Sequence, residues 1–273
     1  MLNDYKGLKL IASSNPHIRN NEDTRSIMLD VVIALCPALL MSVIRFGFRA
    51  LIAVVVSMAS AMFFEWLYRK LLHKTQTLGD LSAAVTGMLL AFVSPVTLPY
   101  WMLIVGNFFA IFVVKQLYGG LGKNFLNPAL AGRAALVACY TGQMTSWIDP
   151  STKAPLFGGL ADVVTAATPL SMMKGGEFEA LTAQYGLRDM FIGNIGGSLG
   201  EISSMMLLIG GLYLIFRKVI SWQIPVAYIG TVAILTFLFP QGNDALTWML
   251  YNCLLYTSPS PRDVEESRMP SSA

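Results

Sequence analysis

Charged residues are scarce in this chain. They make up 13% of its 273 positions, about half of the roughly 25% that is usual in a soluble domain. Apolar residues take their place, at 55% of the sequence and a mean hydropathy of +0.58. This composition excludes an ordinary soluble domain. Long apolar runs alternate with short polar loops, which predicts an all-α polytopic membrane protein surrounded by lipid.

Cysteine is also rare, with three residues in the whole chain. Cys36, Cys139 and Cys253 are scattered and show no Cys-x-x-Cys spacing, so the sequence predicts neither a disulfide framework nor a metal or iron–sulfur centre. The net charge of +3 is small and spread over the loops. That distribution argues against nucleic acid as a partner. It indicates that the basic residues in the loops set the orientation of the chain in the membrane.

Seven apolar runs and a shorter eighth follow a polar leader, residues 1–26. They cover 27–44, 50–68, 81–98, 101–114, 128–140, 202–216, 224–239 and 245–255. Several are shorter than the ~20 residues that a spanning helix needs, and they contain Gly or Pro. Two interpretations stay open: discontinuous helices around a central site, or ordinary helices whose ends are extended by small polar residues.

The basic residues predict the orientation, because cytoplasmic loops carry an excess of Lys and Arg. With the amino terminus in the cytoplasm, eleven basic residues face inside and five face outside, and the reverse orientation inverts that ratio. The inside group comprises Lys6, Lys9, Arg19, Arg25, Arg69, Lys70, Lys74, Lys115, Lys123, Arg217 and Lys218. The segment 141–200 is therefore expected outside the cytoplasm.

Five sequence motifs occur together, in an order and at spacings typical of one known family. They are Ser-Asn-Pro-His at 14–17, Gly-Asp-Leu-Ser-Ala-Ala-Val-Thr-Gly at 79–87, Lys-Gln-Leu-Tyr-Gly-Gly-Leu-Gly-Lys-Asn at 115–124 running into Asn-Pro-Ala at 127–129, Asp-Val-Val-Thr-Ala-Ala-Thr-Pro-Leu at 162–170, and Gly-Ser-Leu-Gly-Glu at 197–201. Over residues 8–252 the chain resembles the family that joins Rnf D subunits with the B subunits of the sodium-pumping NADH:quinone reductase.

The resemblance implies a helical bundle of two inverted halves of five helices each, similar to urea-transporter-like channels. On that plan the cytoplasmic leader is followed by a first membrane repeat (27–140), an extracytoplasmic flavin-bearing loop (141–200) and a partial second repeat (201–255). Residues 256–273 are rich in Pro, Ser and charge and cannot bury apolar surface. We expect this tail to be disordered and the second repeat to be truncated.

The resemblance also gives the stretch 161–170 a role. Family members carry FMN joined through its phosphate to a threonine hydroxyl, in a motif similar to Asp-Gly-x-Ser/Thr-Gly-Ala-Thr. A flavin transferase outside the cytoplasm attaches it from FAD. Carried over, Thr168 is the FMN acceptor, and riboflavin is a further candidate cofactor. The recognition pattern includes Asp162, Thr165 and Ala167.

Two positions of this stretch depart from the family motif. Val163 and Ala166 stand where the motif has glycine, which leaves the acceptor hydroxyl in place. Small neighbours let a transferase reach Thr168, and Pro169 stiffens the loop and lacks a backbone donor. The topology drawn from Lys and Arg places Thr168 on the side where the transferase acts.

Several ionisable residues lie in or at the ends of apolar runs, where a charge is costly and indicates function by default. Arg133 is six residues from each end of 127–139, so we expect it to pair with Glu201, Asp80 or a flavin phosphate. For Glu201, complementing a helix dipole and a functional role are equal alternatives. Glu65 is expected at the membrane interface. For Asp30 the interface and a functional role are balanced.

Two polar features of the predicted cytoplasmic side have simple interpretations. The Gly-rich loop 119–122 could cradle an anion through backbone amides, but a tight turn or a subunit contact is the preferred interpretation. His17, in the leader, is expected to be a contact residue and not a ligand.

The sequence thus predicts a membrane flavoprotein subunit of an ion-translocating oxidoreductase. We expect no catalytic residue in this chain, which would not be catalytic alone. It would carry electrons between reduced ferredoxin and NAD, coupled to Na⁺ or H⁺ export across the bacterial inner membrane. Expected partners are the other proteins of an Rnf-type complex (its A, B, C, E and G subunits) and the flavin transferase. The alternatives are the B subunit of the sodium-pumping reductase, which resembles a chain with a longer leader, and a small-solute channel, since fold does not determine function.

Overall fold

A computed structural model of the chain describes residues 23–148, 172, 178–240 and 245–255. Within these ranges the regular structure is helical and no β-strand occurs. This confirms the all-α class, and the apolar helices are those of a membrane protein. The leader motif at 14–17 and the stretch 161–170 lie outside the described residues. That stretch holds the predicted flavin site, Asp162, Thr165, Ala167 and Thr168.

Within the ranges that the structure describes, two helices are long and apolar enough to cross a membrane. Helix α1 spans Thr24–Phe46 and begins at Asp23, whose carboxylate accepts a hydrogen bond from the next backbone amide. Helix α2 spans Phe48–Leu71. The chain turns between them at Gly47, whose φ of +82° lies in the region that glycine adopts without strain.

The third and fourth apolar runs form shorter helices. A 3₁₀ turn, Leu78–Asp80, leads into α3, Ser82–Phe92, which has 11 residues. At 1.5 Å per residue, α3 covers only about 16 Å of a hydrocarbon core ~30 Å thick. A non-helical stretch with two prolines then leads to α4, Tyr100–Phe108, which continues as a π-helix, Phe109–Gln116. The predicted break in the third run is therefore present, while the central site of the discontinuous interpretation stays a prediction.

The rest of the described chain forms further helices, several of them short. They are α5 (Pro128–Cys139), α6 (Thr141–Met144), α7 (Phe178–Gln184), α8 (Leu187–Ile192), α9 (Ser204–Phe216), α10 (Gln223–Leu238) and α11 (Ala245–Leu255). Asn127 caps α5, accepting from the Ala129 amide, and Pro128 takes the first helical position, where its missing N–H costs nothing. Helices α6 to α8 lie within the predicted loop 141–200.

Helix α3 is the centre of the packing, with ten of its 11 residues buried. It approaches α2 so closely at Gly87 that a Cβ there would lie 2.6 Å from the carbonyl oxygen of Ser57. The loop before α9 closes the far end of α3. There the amides of Leu199 and Gly200 donate to the carbonyl oxygens of Ser94 and Phe92, at 3.1 and 2.9 Å. Helix α3 is thus held between α2 and the start of α9.

Helix α9 packs against α1, with Gly210 facing the backbone carbonyl of Ala34. Helix α10 differs, because none of its residues is buried against the described part of the chain and its main packing partner there is α11. Its exposed residues are largely apolar. Such a surface is typical of a helix that faces lipid or another membrane helix.

Candidate functional site

Three buried polar residues recur at intervals of eight along α2. They are Arg49, Ser57 and Glu65, with exposed fractions of 3%, 0% and 1%. Eight residues of helix rise about 12 Å, so the three lie at well-separated depths between α2, α3 and α4. We refer to them, with their contacts, as the Arg49, Ser57 and Glu65 layers. Lipid cannot satisfy such groups, so each layer must supply its own partners.

The Glu65 layer holds a buried ion pair. One carboxylate oxygen, Oε2, lies 3.3 Å from Lys115 Nζ. The other, Oε1, accepts hydrogen bonds from Gln116 Nε2 at 2.8 Å and Thr77 Oγ1 at 3.1 Å, with Arg69 Nε 3.7 Å away. The prediction that Glu65 lies at the interface is wrong, because these contacts enclose the carboxylate in the protein.

The prediction that Lys115 lies in a cytoplasmic loop is also wrong. It belongs to the π-helix and is 1% exposed. Besides Glu65, its ammonium donates to Ser82 Oγ at 2.6 Å, and Ser82 Oγ donates to Asp80 Oδ1 at 2.8 Å. Burying a charge pair costs desolvation, and only good geometry and further hydrogen bonds offset that cost. The layer therefore joins α2, the π-helix and the start of α3.

The Ser57 layer contains no charge among the described residues. Ser57 Oγ donates to the carbonyl oxygen of Gly87 at 2.6 Å. Asn107 Nδ2 lies 2.8 Å from Ser57 Oγ, and 3.0 Å from both Ser60 Oγ and the carbonyl oxygen of Leu103. Asn107 is fully buried, yet its Oδ1 has no hydrogen-bond partner in the part of the chain that the structure describes.

The Arg49 layer holds the break between α3 and α4. Arg49 Nε donates to the carbonyl oxygen of Val96 at 2.9 Å and Nη2 reaches that of Thr97 at 3.5 Å. The guanidinium lies 5.3 Å from the centre of the Tyr100 ring, within cation–π range. Thr97 Oγ1 in turn donates to the carbonyl oxygen of Ser146. These contacts fix a backbone stretch that has no helix of its own.

Asp30 joins α1 to α9. It is buried, and its carboxylate accepts from the Tyr213 hydroxyl at 3.0 Å and from Arg217 Nε and Nη2 at 3.2 and 3.1 Å. Both alternatives for Asp30, the interface and a functional role, stay predictions, since Arg217 of this ion pair is half exposed. The residue makes a specific contact between helices far apart in the sequence.

The predicted site residues fall in different places. Asp80 lies beside the Glu65 layer, where its Oδ1 accepts from the Ser82 amide at 3.0 Å and so caps α3. Glu201 is exposed and accepts from Ser198 Oγ at 2.5 Å, while Ser203 caps α9. Arg133, on α5, is partly buried and has no ion pair in the described part of the chain. Its pairing with a carboxylate is not confirmed, and a flavin phosphate stays a prediction.

The Gly-rich loop 119–122 forms a turn. Gly119, Gly120 and Gly122 all have positive φ values. The Gly119 amide donates to the Gln116 carbonyl and the Gly120 amide to the Lys115 carbonyl, at 3.2 and 3.0 Å. These amides close the end of the π-helix, so the turn is the correct interpretation and they do not face an anion.

Sequence reasoning missed Ser57, Asn107 and Lys115. The signal that could have found them is spacing, because polar residues eight apart interrupt the apolar runs at 49, 57 and 65 and again at 107 and 115. Each position alone resembles an ordinary polar residue in a helix. Only the repeated interval on two helices indicates that the residues face one another.

The chain matches a described family along most of its length. The sequence profile of the NQR2, RnfD, RnfE family covers residues 11–256. The D subunit of the Na(+)-translocating ferredoxin:NAD(+) oxidoreductase complex of Acetobacterium woodii is 46% identical over 245 residues, which are 89% of this chain and 73% of the relative.

Two further relatives that match the chain are also D subunits. The D subunit of the proton-translocating ferredoxin:NAD(+) oxidoreductase complex of Clostridium ljungdahlii is 41% identical over 86% of this chain and 71% of its own length. The D subunit of the ion-translocating oxidoreductase complex of Shewanella amazonensis is 34% identical over 88% and 76%. The chain therefore belongs to the NQR2, RnfD, RnfE family, and its similarity to D subunits confirms the resemblance found in the motifs.

Proposed function

We propose that this chain is the D subunit of a redox-driven ion pump of a bacterial inner membrane, working between reduced ferredoxin and NAD. The observation that carries the proposal is its 46% identity to a D subunit of a ferredoxin:NAD(+) oxidoreductase, over 89% of the chain. The buried ionic and polar layers between α2, α3 and α4 support a role beyond anchoring, because intramembrane charge is costly and usually functional.

The proposed electron carrier is FMN on Thr168. Its hydroxyl oxygen would form a bond to the phosphorus of the FMN half of FAD. The pyrophosphate bond would break, and AMP would leave with the hydroxyl proton. The flavin supplies the redox chemistry when it is bound, and the protein supplies its attachment and surroundings. The support is the family-like pattern of Asp162, Thr165 and Ala167 before the acceptor, and riboflavin is kept as a second candidate cofactor.

The coupling ion is Na⁺ or H⁺, since relatives named for each ion match this chain at similar identity. The orientation inferred from Lys and Arg puts Thr168 outside the cytoplasm, within reach of a flavin transferase on that side. The proposed assembly also contains the A, B, C, E and G subunits of an Rnf-type complex. This chain would contribute to the pump as one component and would not act alone.

The proposed architecture is an inverted repeat, and two contacts support it. Short helices α3 and α9 follow similar sequences, Leu-Gly-Asp-Leu-Ser at 78–82 and Leu-Gly-Glu-Ile-Ser at 199–203. The second sequence bonds to the end of α3 through Leu199 and Gly200. Leu81, in the first, packs on the buried cluster that contains Leu214 at the end of α9. The start of α9 thus meets the end of α3, and the start of α3 packs on a cluster to which the end of α9 contributes.

The flavin assignment has a direct test. The chain is expressed with its complex and transferase, separated under denaturing conditions and examined for flavin fluorescence, which only a covalent flavin retains. Thr168→Ala should abolish the fluorescence, while the matched Thr165→Ala should keep most of it. The intact mass of the wild-type chain should exceed the sequence mass by one FMN less one water. Fluorescence that persists in Thr168→Ala contradicts the assignment.

A further inference from the structure

The Ser57 layer contains more hydrogen-bond acceptors than donors. Asn107 Nδ2 carries two hydrogens, yet it lies within 3.0 Å of three oxygens, Ser57 Oγ, Ser60 Oγ and Leu103 O. The two serine hydroxyls cannot compensate, because each donates to a backbone carbonyl, Ser57 to Gly87 and Ser60 to Ser57. Asn107 Oδ1 has no donor among the described residues.

This layer also lies where water is far away. Ser57 is the tenth of the 24 residues of α2, a helix long enough to cross a membrane, and both Ser57 and Asn107 are 0% exposed. Buried acceptors without a partner are rare and call for an explanation, such as a bound ion or water. Asn107 stands two residues before the π-helix, and π-helical segments occur frequently at functional sites.

We propose that the Ser57 layer is a transit site for a small monovalent cation, with Na⁺ as its ligand. Rotation of the Asn107 amide exchanges Nδ2 for Oδ1, which turns the amide hydrogens out of the layer. The oxygens of the layer are then Asn107 Oδ1, Ser57 Oγ, Ser60 Oγ and the carbonyl oxygens of Gly87 and Leu103. Without the ion, the Asn107 amide hydrogens, which carry a partial positive charge, face the serine oxygens in its place.

The chemistry of the site favours weak binding of a cation in transit over tight binding. All of its oxygens are neutral, and no carboxylate of the described residues belongs to the layer. Conduction requires a site that binds an ion well enough for it to enter and weakly enough for it to leave. A carboxylate at this depth would hold a cation too tightly. This inference rests on the proposed function in one respect, that the complex moves a cation.

The test measures how Na⁺ changes the unfolding midpoint of the purified complex. NaCl is compared with choline chloride at equal ionic strength, since a ligand that binds only the folded state raises the midpoint. Asn107→Leu should remove the part of the Na⁺ shift that this site contributes, and Asn107→Asp, which keeps the oxygens and adds a charge, should enlarge it. Ser94→Ala is the matched control. Its Oγ is buried too, but donates to Leu90 O within α3, so its shift should equal wild type.

Flavin fluorescence after denaturation serves as an independent reading in every variant. It should be unchanged by these substitutions. A wild-type chain that lacks covalent flavin, but whose Na⁺ shift is removed by Asn107→Leu, would count against the proposed flavin carrier and not against this site. If Asn107→Leu fails to assemble, Ser60→Ala carries the test and should reduce the shift. An equal Na⁺ shift in wild type and Asn107→Leu, or no shift in wild type, overturns the proposal and leaves water as the occupant.

Discussion

Two short helices of this chain begin with almost the same sequence and are held in different ways. Helix α3 follows Leu-Gly-Asp-Leu-Ser and α9 follows Leu-Gly-Glu-Ile-Ser. At α3 the acid caps the helix, and the serine after it accepts a hydrogen bond from a buried ammonium. At α9 the acid is exposed and accepts a hydrogen bond from the neighbouring Ser198, while Ser203 caps the helix.

The difference lies in what surrounds each start. Ten of the 11 residues of α3 are buried, against three of the 13 of α9. A polar group enclosed by protein must find a partner or stay unsatisfied at a cost in free energy, whereas an exposed one is served by water. The same local sequence therefore joins several helices at the buried start of α3. At the exposed start of α9 it forms little more than a turn.

The largest expected effect comes from removing one partner of the buried ion pair beside α3. Lys115→Met leaves Glu65 as an uncompensated buried acid, so the free energy of unfolding, measured by SDS titration in mixed micelles, should fall by about 3–5 kcal/mol. Lys123→Met, an exposed lysine in the next loop, is the control and should change little. Adding Glu65→Gln to Lys115→Met should recover part of the loss. A loss equal to that of Lys123→Met would show that the pair is not buried.

An intermediate effect is expected where each short helix touches its neighbour. A Cβ at Gly87 of α3 meets the Ser57 carbonyl, and a Cβ at Gly210 of α9 meets the Ala34 carbonyl. Overpacking of this kind costs about 1–3 kcal/mol, so Gly87→Ala and Gly210→Ala should both lower the free energy of unfolding.

The adjacent Gly211 supplies the control, since a Cβ there meets nothing within 4 Å among the described residues. Gly211→Ala should be neutral or slightly stabilising, because alanine is the better helix former. If Gly210→Ala and Gly211→Ala behave alike, the close approach of α9 to α1 is not as described.

The smallest effects are expected when Asp80 before α3 and Glu201 before α9 are each replaced by alanine. Asp80→Ala removes a cap from α3 and should cost about 1 kcal/mol of the free energy of unfolding. Glu201→Ala removes an exposed contact and should stay within about 0.5 kcal/mol of wild type. The reverse order in the same SDS titration would contradict the contrast between the two helix starts.

Much of the helical layout could be predicted from the sequence. The run 27–44 became Thr24–Phe46 and the run 128–140 became Pro128–Cys139, because apolar length and helix caps are local properties. The break after α3 followed in the same way from Pro95 and Pro99.

The pairings between helices are not a local property of the sequence, and only the repeated interval of eight residues on two helices points to them. The sequence predicts that the fourth run ends at Val114, because a charge normally closes a span, and the acid that neutralises Lys115 stands 50 positions earlier. Nothing local to Lys115 or Glu65 reveals the other, so the sequence predicts a loop position for Lys115 and an interfacial position for Glu65. The same holds for Asn107, whose partners lie on α2. The flavin stretch 161–170 lies outside the described residues, and its role stays a prediction.

The three layers of α2 have a consequence for biosynthesis. Arg49, Ser57 and Glu65 each have one partner 47 to 50 residues further along the chain. When α2 leaves the ribosome, none of those partners has yet emerged. At about 5–20 residues per second, the nascent helix waits several seconds before these three contacts can form. It should therefore stay beside the insertion machinery until α4 emerges, and only then move into lipid as part of a preassembled group.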